Sequence, residues 1–236
     1  MKNRKYMFIM AIILIVLIIL VTVQGCMILN LKQEQNNDNN INSTTKNPYK
    51  ITYSSTEDSK KIKEEYEALN GTSTGSDRET YNTVNISEEN PINYVDLQEL
   101  INIINSDEEA YIYMSSADCP YCRATIETLL QVVQDLGVEK LYYYDLSKGI
   151  TLDSVDGEEK VQEITNILIE KGLVTRKEDG SNSWRIPLVA KTKSGEVLAK
   201  TIGTGVVYNE EQSKYSELTE EQKQEVYNEY YELLKD

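Results

Sequence analysis

The 236-residue sequence contains no histidine, one tryptophan, one phenylalanine and three cysteines, and it is short of positive charge, with 24 basic residues against 39 acidic ones. Without histidine there is no Ser-His-Asp triad, no Cys-His nucleophile pair, no His-ligated metal and no histidine pH switch. A net charge of −15 argues against nucleic acid as a partner, because binding phosphates requires a basic face that displaces counterions. Three cysteines are too few for a disulfide scaffold or a four-cysteine zinc site. What remains is a chain long enough for one domain of ordinary size and an appendage. Seventeen tyrosines stand against the single phenylalanine, a bias to which composition alone assigns no role.

The apolar residues are unevenly spread. Lys2, Arg4 and Lys5 precede an uncharged run from Tyr6 to Val23, rich in Ile, Leu, Val and Met. As a helix this run spans about 27 Å, close to the ~30 Å hydrocarbon core of a bilayer. With positive charge before it and an acidic remainder after it, the positive-inside rule predicts that the C-terminal part lies outside the cytoplasm. Val23-Gln24-Gly25-Cys26 also resembles the lipobox of bacterial lipoproteins, where cleavage precedes a cysteine that is then diacylated. Gln24 stands where a small residue is usual, and the apolar run exceeds the roughly 7–15 residues of a signal peptide. Residues 1–31 are therefore either an uncleaved membrane anchor or a lipoprotein signal with Cys26 as the lipidation site. Both tie the rest of the chain to the membrane.

Residues 32–84 read as a polar, largely disordered tether. Between 32 and 60 the clearly apolar side chains are Ile41, Tyr49, Ile51 and Tyr53, too few to offset the entropy of ordering. Lys60 to Leu69 has modest helical character and stops at Asn70-Gly71, before a loop of Gly, Ser and Thr. The folded domain is predicted over 85–236. Pro91 to Val95 reads as a strand, and Asp96 with Glu99 forms a capping box for a helix through about Ile104. Strands are predicted at Ala110–Ser115 and Glu139–Leu146, around a helix from Cys119 to Leu136 that Gly137 ends. Glu158 to Lys171 is an amphipathic helix closed by Gly172, with Val161, Ile164, Ile167 and Leu168 as its buried stripe. Pro187–Thr192 and Glu196–Ile202 form a hairpin about a Lys193-Ser194-Gly195 turn. A Thr-x-x-Gln capping box opens a last helix from Thr219 to Leu234. The order β-α-β-α-β-α-β-β-α fits one α/β domain.

Cys119-Pro120-Tyr121-Cys122 is the motif that carries chemistry. A Cys-x-x-Cys that follows a strand and opens a helix puts the first sulfur at the helix N-terminus, where free amides and the dipole stabilise a thiolate. The second cysteine, one turn on, can close a disulfide with the first, and Pro120 suits the first turn because its missing N–H costs nothing there. Half of a zinc site is the bland alternative, but no second pair and no histidine complete it. Cys119 is thus the predicted attacking thiol and Cys122 the buried resolving thiol, with Pro120 and Tyr121 tuning their redox balance.

Here the chain resembles the thioredoxin-like family. Cys-Pro-Tyr-Cys is the active-site tetrapeptide of dithiol glutaredoxins, whereas Ile186-Pro187-Leu188-Val189, Ser194-Gly195-Glu196-Val197 and Gly203 are similar to thioredoxin. The resemblance spans about residues 92–235 and implies a central mixed sheet flanked by helices, with a helical insertion, 147–185, before a cis-proline. It makes Pro187 that cis-proline, facing the active-site disulfide, and Ile186 the residue that pairs with a substrate backbone. It also marks departures. Tyr113 replaces the buried acid that helps deprotonate the resolving cysteine, and Asp118 replaces the tryptophan before the first. Asp118 is expected to raise the Cys119 pKa and Arg123 to compensate. Trp184 either lines the groove or packs on the inserted helix.

The sequence therefore predicts a membrane-tethered, extracytoplasmic thiol–disulfide oxidoreductase that needs no metal or organic cofactor. Its expected partners are the thiols and disulfides of exported proteins, and a membrane electron donor if it works as a reductase. The alternative is a non-catalytic accessory module that holds an exported peptide or its transporter, as in the bacteriocin transport accessory proteins it also loosely resembles.

Overall fold

Five strands that alternate in side-chain direction, with apolar or tyrosine residues on both faces, require cover on both sides, and the helices supply it. The computed structural model describes residues 51–75, 78–147 and 157–235, all within one unit running from Asn47 to Asp236. The predicted anchor or signal, Cys26 and residues 32–50 lie outside the described residues.

In chain order the elements are α1 (Glu57–Glu67), β1 (Ile92–Tyr94), α2 (Leu97–Ile104), β2 (Ala110–Ser115), α3 (Pro120–Asp135), β3 (Leu141–Asp145), α4 (Glu158–Glu170), β4 (Thr175–Arg176), β5 (Asn182–Ser183), β6 (Leu188–Lys193), β7 (Glu196–Ile202) and α5 (Glu220–Leu234). The main sheet has the order β1-β3-β2-β6-β7. β1, β3 and β2 run parallel, while β6 is antiparallel to both β2 and β7. β4 and β5 form a separate two-stranded ribbon within the predicted insertion.

The helix ends follow from local chemistry. Asp96 and Thr219 cap their helices with reciprocal boxes to Glu99 and Gln222. After α3 the chain turns at Gly137, at φ 72°, which lets the Val138 N–H reach the Val133 carbonyl at 2.9 Å. This is the left-handed close that glycine permits without a Cβ clash. Ser194 and Gly195 turn the β6–β7 hairpin with positive φ at both positions. Lys191 is buried, pairs with Glu109 at 3.2 Å, and donates to the carbonyls of Leu234 and Lys235. A cation thus meets the negative end of α5.

The sheet separates two cores. On one face Tyr113, Leu141, Tyr143 and Val189 meet α1, α3 and α5. On the other Ile112, Met114, Leu188 and Ala190 meet α2 and α4. Ile164 and Leu168 of the α4 stripe are fully buried, with Val161 and Ile167 half-buried beside them.

The domain boundary expected at residue 85 needs correction. α1 is a core helix: Ile62 and Tyr66 have no exposed surface, and Val84 and Ile86 join the same cluster. Polar contacts hold it as firmly as apolar ones. Asp58 accepts from the Tyr94 amide at 2.9 Å, Asn90 donates to the Ser59 carbonyl at 3.0 Å, and the Tyr53 hydroxyl donates to the Val138 carbonyl at 2.8 Å. A segment with two buried apolar side chains per helix is recruited by tertiary hydrogen bonds that composition does not reveal. Among the described residues no helix is long and apolar enough to cross a membrane.

Candidate functional site

The site stands where β2 hands over to α3. Cys119 is the N-cap of α3, in extended backbone, and Pro120 occupies the first turn. The Cys119 sulfur accepts the backbone N–H of Cys122 at 3.3 Å, so a sulfur takes the place of the oxygen that usually caps a helix. Cys119 is half-exposed, whereas Cys122 has no exposed surface. Both are free thiols.

The same geometry divides their acidities. A hydrogen bond from the Cys122 thiol, and then the amides of Cys122 and Tyr121, hold the Cys119 pKa below that of an ordinary thiol, against burial and the charge of Asp118. Burial pushes the Cys122 thiol well up, and its bond to the Cys119 sulfur pushes the same way. One sulfur is therefore the more acidic and more accessible of the two, and the other is its buried, protonated neighbour.

Asp118 acts on Cys119 in the expected direction, but its carboxylate also accepts a hydrogen bond from the Ser116 hydroxyl. Arg123 does not compensate, which corrects the sequence-based expectation. The residue is 2% exposed, and its guanidinium is turned toward the segment that precedes β1. There it donates to the carbonyls of Tyr66 (2.7 Å), Ala117 (3.2 Å) and Asn82 (2.7 Å) and to Asn70 Oδ1 (2.6 Å). The cation pins α1 and the loop after it to α3.

The Ile186–Pro187 peptide bond is cis. Pro187 precedes β6, whose Leu188 pairs with Met114; continuing that register puts Pro187 opposite Ser115, at the end of the sheet that carries Cys119. Ile186 is half-buried and packs on the α2–α4 side. Trp184 is half-buried in that same cluster, tilted against Tyr144 with ring centroids 6.1 Å apart.

Two further contributors escaped the sequence reading. Tyr208, in the loop after β7, sets its ring edge-on to Tyr121 at 5.9 Å. Burial pushes its hydroxyl up to about 12, with the charges of Tyr121 and Cys119 adding to the effect. No motif marks that loop. Tyr66 reaches the site from α1, and its hydroxyl lies 2.6 Å from the Ser115 oxygen; the spacing of Ile62 and Tyr66 on one helix face was the signal available. Among the described residues no cluster of three or more cysteine or acidic side chains is placed to hold a metal.

The strand order, the mixed strand directions, the helix opened by Cys-x-x-Cys and the cis-proline at the start of β6 define a thioredoxin-like α/β fold. No family model and no curated protein matches the chain. Among solved structures, it is similar to the thioredoxin of Trypanosoma brucei brucei at 13% identity, over 51% of this chain and 86% of that one, with a TM-score of 0.33. It is similar to the thioredoxin of Malassezia sympodialis at 12% identity, over 48% and 80%, with a TM-score of 0.32. The corresponding figures for the thioredoxin of Aeropyrum pernix are 17%, 47%, 74% and 0.28. At these scores the likeness carries no argument, and the fold rests on the chain's own topology.

Proposed function

We propose that the chain is a thiol–disulfide oxidoreductase, tethered to the membrane by its N-terminal segment and working outside the cytoplasm on exported proteins. The observation that carries this reading is the division of labour at the start of α3. A half-exposed sulfur of lowered pKa sits at a helix N-terminus, directly over a buried, protonated thiol. In the reducing direction the Cys119 thiolate attacks a substrate disulfide, forms a mixed disulfide and expels one substrate thiolate. Cys122 then attacks the Cys119 sulfur, closes the Cys119–Cys122 disulfide and releases the second thiolate. The oxidising direction is the reverse, with the electron pair passing from substrate dithiol to the protein disulfide. Pro120 and Tyr121 set the balance between the two, and Ile186 with Pro187 borders the substrate.

The uncharged run from Tyr6 to Val23 behind three basic residues supports the tethered, outward-facing part of the reading. Replacing Cys122 by Ser should stall the reaction at the mixed disulfide and capture exported proteins on Cys119 in cells. The capture should vanish under reductant and in the Cys119→Ser variant. Absence of any reductant-sensitive adduct would overturn the reading.

A further inference from the structure

A buried thiol that must attack as a thiolate needs something to stabilise its charge. The positions of β2 that approach Cys122 carry hydroxyls: Tyr113 and Ser115, both fully buried. The Ser115 hydroxyl lies on the Cys122 side of β2 and works against burial, favouring the Cys122 thiolate. Behind it the Tyr66 hydroxyl lies 2.6 Å from Ser115 Oγ and 3.4 Å from the Ser116 carbonyl. The Tyr113 hydroxyl lies 3.5 Å from the Cys122 carbonyl. Tyr66 belongs to α1, which Arg123, one residue after Cys122, grips through the Tyr66 carbonyl.

We propose that the Tyr66 and Ser115 hydroxyls form a donor chain that stabilises the Cys122 thiolate when it attacks the mixed disulfide, which makes α1 a positioning element of the active site. The inference rests on the dithiol reading given above. Tyr66 donates to Ser115 Oγ, which frees the Ser115 O–H to donate to Cys122. Each donor polarises the next, as linked hydrogen bonds do in a low-dielectric interior. Cys122 then displaces the substrate thiolate from Cys119, and the proton it lost goes to that leaving thiolate. The titratable groups that face Cys122 are Cys119 and the phenols of Tyr66, Tyr113, Tyr143 and Tyr230. Burial raises all four phenols, which keeps them protonated as donors rather than competing anions.

The test uses the reduced full chain in a Cys26→Ser background with the aryl disulfide DTNB. Attack by Cys119 releases a first thionitrobenzoate, and attack by Cys122 on the resulting mixed disulfide releases a second; the protein is oxidised by two electrons and the reagent reduced. Tyr66→Phe, which keeps the ring and the carbonyl that Arg123 uses, should slow the second release at neutral pH. Ser115→Ala should slow it by about tenfold, the scale of one hydrogen bond to a charge. In both, the pH midpoint of the second release should move up while the first release stays unchanged. Ser115→Thr should restore it. Tyr143→Phe is the control, because that buried hydroxyl has no hydrogen-bond partner among the described residues. A second release in Ser115→Ala and Tyr66→Phe that keeps its rate and its midpoint overturns the donor chain and leaves the dithiol reading standing. A merely structural role for Tyr66 would instead disturb both releases together and would equally overturn it. If the unsubstituted chain gives no second release, the dithiol reading fails, and the donor chain falls with it.

Discussion

The two faces of the sheet are built from different materials. The α2–α4 side is aliphatic, with Leu97, Leu100, Ile104, Ile164 and Leu168 around a single buried tyrosine, Tyr144. The α1–α3–α5 side buries Tyr66, Tyr113, Tyr143 and Tyr230 beside Val and Leu. The Cys-x-x-Cys motif opens a helix of the tyrosine side. Aliphatic packing needs only shape and volume, whereas buried phenols also carry hydroxyls, which Tyr66 sets against Ser115 and Tyr113 against the Cys122 carbonyl. The difference teaches that one face is ordinary core and the other is core that also serves as the inner wall of the site.

Alkaline pH should separate the faces most strongly. Tyr66, Tyr113, Tyr143 and Tyr230 all have raised pKa values from burial. Above an ordinary tyrosine pKa of about 10 the unfolded chain loses these protons while the native state keeps them, so the unfolded state binds fewer protons and stability falls as pH rises. The limiting slope is about 1.4 kcal/mol per pH unit for each phenol. Denaturant midpoints between pH 9 and 11 should drop steeply, and the phenolate absorbance of the folded chain should fall short of all seventeen tyrosines, by at least these four, until it unfolds. Phenolate absorbance that reaches all seventeen while the chain stays folded would contradict this.

Next in size are substitutions that detach α1. Arg123→Ala should cost roughly 3 kcal/mol or more, since it strands several buried carbonyls that now receive charged donors. Ile62→Ala should cost about 2–5 kcal/mol by leaving a cavity, a loss comparable to Leu100→Ala on the opposite face. The comparison sharpens in the redox assay: Ile62→Ala should also disturb the second thiol release, whereas Leu100→Ala should spare it. An Ile62→Ala chain as stable as the parent would return residues 57–67 to the tether.

The smallest effect concerns Asp118. Its charge raises the Cys119 pKa, so Asp118→Ala should lower the pH midpoint of Cys119 alkylation by iodoacetamide, read by peptide mapping. Because Asp118 is exposed, screening should keep the shift small. An unmoved or raised midpoint would show that the Cys122 thiol and the backbone amides set the acidity of Cys119 without a contribution from Asp118.

What the sequence displayed follows the same division. The aliphatic side was legible because Leu97, Leu100, Ile101 and Ile104 repeat at helical spacing between a capping box and a strand. The hairpin at Ser194-Gly195 and the helix end at Gly137 were marked by residues whose backbone roles are local. α1 was not legible. It carries two buried apolar residues, its capping box uses Ser59 in place of Glu or Gln, and its hold on the core is a set of long-range hydrogen bonds. Arg123 was misjudged because proximity in sequence to Cys119 says nothing of where a long side chain points. The β4–β5 ribbon, two residues per strand, is too short for any period to show.

Every role proposed for the site depends on Cys119 and Cys122 cycling between dithiol and disulfide. Equilibrating the full chain against graded glutathione buffers, followed by acid quench, alkylation and peptide mass mapping, tests it most directly. We expect one reversible two-electron transition in which the linked peptides are those of Cys119 and Cys122. Thiols that stay alkylatable at every poise, or a disulfide that joins Cys119 only to Cys26, would contradict it.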